Sequence, residues 1–478
     1  MTIPLEIPKG FPETILANKT VFPSRLSCEN DYGTWESRND FFERFRWLTH
    51  ALVVLITWLP ASISKVFSRF KIEPLGQEKD FLLLSHYVGG HHAYQKDPFL
   101  GLVAETLRSR FKTFTFFLNS TKEGAFQAEK SIRETLADEF RVNDFSWNIS
   151  RLLQITFRIS ADSLFMIFSR RKSFKELKYS LCSNFLKSYK SQLSILLAWE
   201  SFAFLIQMHS PRFILMPCEG NSHELLFLHR LKLFFPEIRV VMYQHAPIVI
   251  DQPGFYRVVA NMRQTDILLL SSSHSEKLLR STLQNQTIKC RVEVVGSSRA
   301  MSTNTLSIKR EISRDDFTLN VLVALEGTEC SVNELLGFLQ FVHREEVPRY
   351  FRIRFHPDYL PSSKAKKILN SLEVDYLVSS NNLVDDLLWA DEVWLRTSSV
   401  ADYALRLHVL PVHFNINPKI DLNPLKDLHQ PYLQVKSLTD LQNLPKMRFE
   451  LGNLSFSGED KDFLFQQFNS NVLRSLFD

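Results

Sequence analysis

Glycine is scarce in this 478-residue chain, at 14, and low-complexity tracts and internal repeats are missing. Long flexible linkers are therefore not expected. The five cysteines (Cys28, Cys182, Cys218, Cys290, Cys330) are odd in number and never in C-x-x-C spacing. That pattern excludes a disulfide scaffold and a zinc knuckle, and it fits a reduced, cytoplasmic compartment. No G-x-G-x-x-G and no Walker A sequence is present, which removes the commonest phosphate-cradling loops. No basic stretch is interleaved with aromatics in the manner of RNA-binding domains, and a net charge of +5 does not demand nucleic acid. The first residues, MTIPLEIPKG, lack the basic and apolar regions of a secretory leader.

One apolar stretch, WLTHALVVLITWLPASI at 47–63, is interrupted by His50 and Pro60. It falls short of the ~20 residues a spanning helix needs, so a buried or interfacial helix is expected. The basic stretch 169–190 reads as a solvated helix face or as a contact for an anionic surface. The single Asp-x-Asp, DKD at 460–462, reads as helix capping, and no metal site is expected.

Phenylalanine is abundant, at 40, and 45% of the chain is hydrophobic, ample for a large core. Residues 1–80 read as an N-terminal extension. From Phe81 short apolar runs alternate with helical stretches. Strands are expected at 81–85, 111–118, 212–217, 238–244, 266–272 and 290–296, with a helical insertion over 145–208. The stretch 297–316 reads as a linker. A second alternation follows, with strands at 319–325, 351–356, 374–379, 392–396, 409–415 and 432–436. Strands alternating with helices imply parallel sheets. The expected organisation is α/β and GT-B-like. It has two Rossmann-like domains facing a cleft, an acceptor-side domain at 81–300 and a nucleotide-sugar-binding domain at 301–445. One or two C-terminal helices are expected within 446–478.

The candidate site residues stand at strand ends, where open α/β sheets bind ligands. His356 is fixed by Pro357, because proline forces the residue before it into an extended conformation. Glu326 and Gly327 end the preceding strand. Thr397, Ser398 and Ser399 follow another strand and open a helix, where free N–H groups and hydroxyls suit a phosphate. In the first domain Glu219 ends one strand and His245 the next. A carboxylate so placed suits a general base for an acceptor hydroxyl. Glu224, in the first turn of the following helix, reads as support or as part of the acceptor wall. His91 and His92, beside a glycine pair, are candidates for an acceptor pocket.

The set CEGNSHE, YQHAP, LEGTE, RFHP and RTSS resembles a family of bacterial surface-carbohydrate biosynthesis proteins. Their pattern is Glu-Gly-x-x-Trp-Glu; here both acids, Glu219 and Glu224, are kept and His223 stands in place of the tryptophan. The His-Pro and Ser-Ser elements are also similar to those of bacterial sialyltransferases, Kdo transferases and CDP-glycerol glycerophosphotransferases. The resemblance covers roughly residues 210–415. It implies a glycosyltransferase of surface-polysaccharide assembly with a nucleotide-sugar donor, a CMP-linked one first among them. It also implies a glycan or lipid-linked acceptor and no separate cofactor; peripheral attachment at the inner face of the cytoplasmic membrane is expected from the apolar 47–63 and basic 169–190 stretches. A polyol-phosphate transferase and a non-catalytic assembly protein are the alternatives.

Overall fold

The computed structural model describes residues 78–87, 97–119, 125–134, 136, 139–142, 195, 198–249, 253–283, 288–300, 319–327, 329–342, 349–356, 361–415, 423–426, 428–451 and 463–478. The stretches 47–63 and 169–190, the pair His91 and His92, Pro357 and the DKD triplet lie outside them. Among the described residues the chain divides into two compact units. The smaller comprises residues 78–98 and 107–215, and the larger comprises 99–106 and 216–478.

The first sheet has seven parallel strands: β1 (Phe81–Tyr87), β2 (Thr113–Asn119), β3 (Phe140–Val142), β4 (Phe213–Pro217), β5 (Arg239–Tyr243), β6 (Ile267–Leu270) and β7 (Arg291–Val294). Their order is β3-β2-β1-β4-β5-β6-β7. The helices between them are α1 (Gly101–Arg108), α2 (Ala125–Arg133), α3 (Ser222–Phe234), α4 (Pro253–Ala260) and α5 (Ser273–Thr282). Residues 198–209 are also helical. The central strands are continuous apolar runs, such as Phe81–Leu84 and Ile267–Leu270, all buried. A sheet covered on both faces requires such runs.

The second sheet has six strands: β8 (Leu319–Ala324), β9 (Arg349–Arg354), β10 (Tyr376–Val378), β11 (Glu392–Leu395), β12 (Leu410–Phe414) and β13 (Leu433–Val435), in the order β10-β9-β8-β11-β12-β13. All are parallel. Strand alternation divides its core. Val321, Val323, Ile353, Trp394, Val412 and Phe414 line one face. Leu322, Ala324, Val393 and Leu395 line the other. The accompanying helices are α6 (Glu329–Leu339), α7 (Ser363–Asn370), α8 (Leu383–Trp389), α9 (Val400–Arg406), α10 (Leu438–Gln442) and α11 (Leu444–Leu451). Two parallel α/β sheets in succession make this a GT-B-like, two-Rossmann-domain fold.

The tail departs from the expected run of helix. Among the described residues of 446–478, α11 runs to Leu451 and α12 (Ser470–Ser475) is helical, while residues 463–469 form a non-helical strap. Ser297 donates its amide to Gln466, the Gln466 amide donates to Ser271, and Asn469 donates to Val295. The Leu464 and Phe465 amides donate to buried Asp402 at 2.7 and 3.2 Å. A backbone whose amides are used by partners outside the segment has none left for a helical ladder.

Strand β3 and helices α4 and α10 were absent from the sequence expectation. Strand β3 is only three residues long and holds Arg141, so it carries no alternation to detect; its Val142 is buried in a cluster with Tyr87, Phe117, Ala128 and Ile132. Helix α4 opens on Pro253, which suits a first turn because the missing N–H has no partner there anyway.

Candidate active site

In a parallel sheet every strand ends at the same edge, and neighbouring strands lie about 4.8 Å apart. The order β4-β5 therefore sets the residues after Pro217 beside those after Tyr243. The Cys218 amide extends this pairing by donating to the Tyr243 carbonyl at 2.8 Å. Beyond it, Glu219 Oε1 stands 2.8 Å from His245 Nε2. The sequence-predicted pair is thus in direct contact.

His245 is buried, and its Nδ1 has no hydrogen-bond partner among the described residues. A proton on Nδ1 would be buried without an acceptor, so the tautomer carrying hydrogen on Nε2 is the one this site satisfies. Phe99 packs edge-on against the ring, centroids 5.0 Å apart. His245 consequently donates to Glu219. Asn221 Nδ2 donates to the other oxygen, Oε2, at 3.1 Å. Two donors favour the ionised carboxylate. The Glu219 side chain keeps 29% of its surface exposed.

Glu224 has a different setting. It is fully buried. Its Oε2 accepts from the amides of Glu219, Gly220 and Asn221 at 3.0, 2.8 and 3.1 Å. Its Oε1 accepts from the Glu219 amide at 3.1 Å and from Asn221 Nδ2 at 3.2 Å. Burial and then the negative Glu219 push this carboxyl up to about 8, while the hydrogen bonds pull it down. Burial likewise pushes the Cys218 thiol well up, so Cys218 is not a nucleophile at neutral pH. Glu224 therefore supports the loop from within.

Gly220 makes this turn feasible. Its φ is +86°, and a Cβ there would lie 2.1 Å from the Phe255 nitrogen at the start of α4. Gly220→Ala should cost about 2–5 kcal/mol, combining left-handed strain with overpacking against backbone. Urea unfolding measures it; a loss below about 1 kcal/mol would show that the loop can move aside. Gln244 is a neighbour that sequence reasoning missed. Its Oε1 accepts from the Ser271 amide and hydroxyl at 3.0 and 2.9 Å, and its Nε2 donates to the Ala246 carbonyl. It fixes the backbone on either side of His245. The signal was available, because a glutamine at a buried strand end needs partners.

In the second sheet the order β9-β8-β11 brings three more strand ends side by side. Glu326 accepts from both the amide and the hydroxyl of Thr397. Gly327 lies beneath His356: a Cβ there would stand 3.3 Å from the His356 Nδ1. Strand β9 ends at Arg354, two residues before the expected end, because its partner β8 ends at Ala324. His356 is exposed on the loop beyond. Glu326, Gly327, His356 and Thr397 thus form one cluster. Ser398 accepts from the Val400 amide at 3.2 Å, so its hydroxyl oxygen caps α9, while the Ser399 side chain makes no cap bond. Arg396, also missed, pairs with Glu334 at 2.6 Å just before Thr397.

No family model and no curated protein matches the sequence. Solved structures are similar in fold. UDP-N-acetylglucosamine 2-epimerase from Rickettsia bellii is 13% identical, covering 84% of this chain and 95% of that one, with a TM-score of 0.48. MurG from Acinetobacter baumannii is 11% identical, covering 83% and 93%, with a TM-score of 0.41. The spinosyn rhamnosyltransferase SpnG, complexed with thymidine diphosphate, is 11% identical, covering 83% and 100%, with a TM-score of 0.42.

Proposed function

We propose that the protein is a glycosyltransferase that moves a sugar from a nucleotide-activated donor to a hydroxyl of a glycan or lipid-linked acceptor. The observation that carries this reading is Glu219, held by His245 and Asn221 at a sheet edge and partly exposed to solvent. In the proposed step Glu219 takes the proton of the acceptor hydroxyl. The hydroxyl oxygen bonds to the anomeric carbon. The bond from that carbon to the donor phosphate breaks, and its electron pair leaves with the nucleotide. Donors fixed in advance stabilise the departing phosphate. On this reading they come from His356 and the Thr397–Ser399 segment, with Glu326 holding Thr397 in place. No divalent metal is required.

A CMP-linked donor and a role in surface-polysaccharide assembly rest on the resemblance of RFHP and RTSS to the cytidine-using enzymes. Attachment to the inner face of the membrane rests on the composition of 47–63 and 169–190. No helix among the described residues is long and apolar enough to cross a membrane.

A thermal-shift panel of CMP, CDP, UDP, GDP and CDP-glycerol tests the reading. A nucleotide at 100 times its Kd stabilises the fold by ~2.7 kcal/mol. CMP should give the largest shift; a response to CDP-glycerol above all others would favour the polyol-phosphate transferase. His356→Ala should then weaken the binding nucleotide by about 1–3 kcal/mol, the loss of one charge-assisted bond. Silence with every nucleotide would sink the reading.

A further inference from the structure

We propose that Glu224, in its ionised form, is the positioning residue for Glu219: it gathers three consecutive backbone amides of the Glu219–Asn221 loop and, through Asn221, fixes the carboxylate that faces solvent. This rests on the reading of Glu219 as the base and adds to it a residue that touches no substrate. Asn221 is the link. One Nδ2 donates to both acids, to Glu219 Oε2 at 3.1 Å and to Glu224 Oε1 at 3.2 Å. Its amide group is thereby oriented by both carboxylates.

All five contacts on Glu224 are donors: the Glu219 amide on both oxygens, the Gly220 amide, the Asn221 amide and Asn221 Nδ2. Only the ionised form satisfies them. A carboxylic acid would carry an O–H with no acceptor among these five, and one amide bond would have to open to admit it. The turn cannot relax easily by other means. Gly220 is at φ +86° and packed against the Gly254–Phe255 backbone. Among the described residues, the titratable groups acting on Glu224 are Glu219 and Cys218 from its own loop; His245, from the end of β5, contacts Glu219 instead, and Gly254 and Phe255 contribute no titratable group. Burial and the Glu219 charge push Glu224 up to about 8, so the loop should be held above that pH and loosened below it.

The Gly220 amide reports this without knowledge of the substrate. Carbonyl-13C glutamate with 15N glycine selects Glu–Gly peptides, and the chain has three, at 123–124, 219–220 and 326–327. Glu219→Gln deletes the Gly220 signal and so assigns it. In the wild-type full chain this signal should shift between pH 6 and 10 with a midpoint near 8. In Glu224→Gln it should stay flat. In Asn221→Ala, which removes one hydrogen bond to the ionised form, the midpoint should rise. A titration unchanged in Glu224→Gln overturns the proposal, as does a wild-type Gly220 signal that coincides with that of Glu224→Gln across the whole range. If that variant does not fold, an unmoved midpoint in Asn221→Ala overturns it instead. With a competent donor, kcat should fall below the same midpoint while the donor KM stays level. Inertness with every donor would remove the proposed function and leave the Gly220 titration standing.

Discussion

Glu219→Gln should bind the donor nucleotide as the wild type does and turn over ~10²–10⁴-fold more slowly, the range for loss of a positioned base. The substitution is nearly isosteric. Its carbonyl oxygen can still accept from His245. The new amide nitrogen, however, faces Asn221 Nδ2, and two donors repel. The variant therefore loses the proton acceptor and one of the two bonds that aimed it. Calorimetry with the nucleotide found by the panel, alongside steady-state turnover, separates the two quantities. A fall in kcat with donor KM unchanged marks an interaction made only in the transition state. Wild-type turnover would demote Glu219 to a structural acid.

Asp402→Ala should destabilise the protein by about 3–5 kcal/mol, the range for stranding a buried charge by removing its partner. Asp402 is wholly buried in α9. Burial pushes its carboxyl up against the pull of Arg406, which donates from Nε to Oδ2 at 2.9 Å. Its other oxygen holds the Leu464 and Phe465 amides. Arg406 also donates to the Phe465 carbonyl and lies over the Phe463 ring, 4.0 Å from its centroid. Removing the aspartate leaves a guanidinium without its carboxylate and two strap amides without acceptors. Asp402→Asn keeps an acceptor for the strap and should recover part of the loss. Urea midpoints for the three proteins decide the matter; a cost under about 1 kcal/mol for alanine would show that water or a rearranged strap replaces the aspartate.

Much of the fold was readable because both sheets are parallel and buried on both faces. Several of their strands contain unbroken apolar runs such as FLLL and ILLL, which stand out against the helices. Where a strand was short and charged, as at Phe140–Val142, there was nothing to read. Which of the candidate residues lie together was legible; what each of them touches was less so. Glu219 and His245 could be paired because they end strands that turned out to be neighbours. Glu224 could not be told from an ordinary helix-start acid, since only the folded loop shows three amides converging on it. Ser398 and Ser399 looked equivalent in sequence. The local backbone assigns the cap to Ser398, because its oxygen alone reaches Val400. Asp402 gave no sign at all. Its task depends on a segment some 60 residues further on, and no local pattern carries that information.

The strap also bears on the order in which the molecule assembles. Ser273 donates its amide and hydroxyl to Gln466 Oε1 at 2.9 and 3.0 Å, across a separation of 193 residues. Asp402 and Leu464 close a loop of 62. Closure entropy grows with the logarithm of loop length, so the longer closure costs about 1 kcal/mol more from an open chain. Interactions absent from the folding transition state slow unfolding without speeding folding. A strap that closes late would act as a latch on the native state: Asp402→Ala is then expected to raise the unfolding rate and leave the folding rate near that of the wild type, which stopped-flow mixing in urea would read.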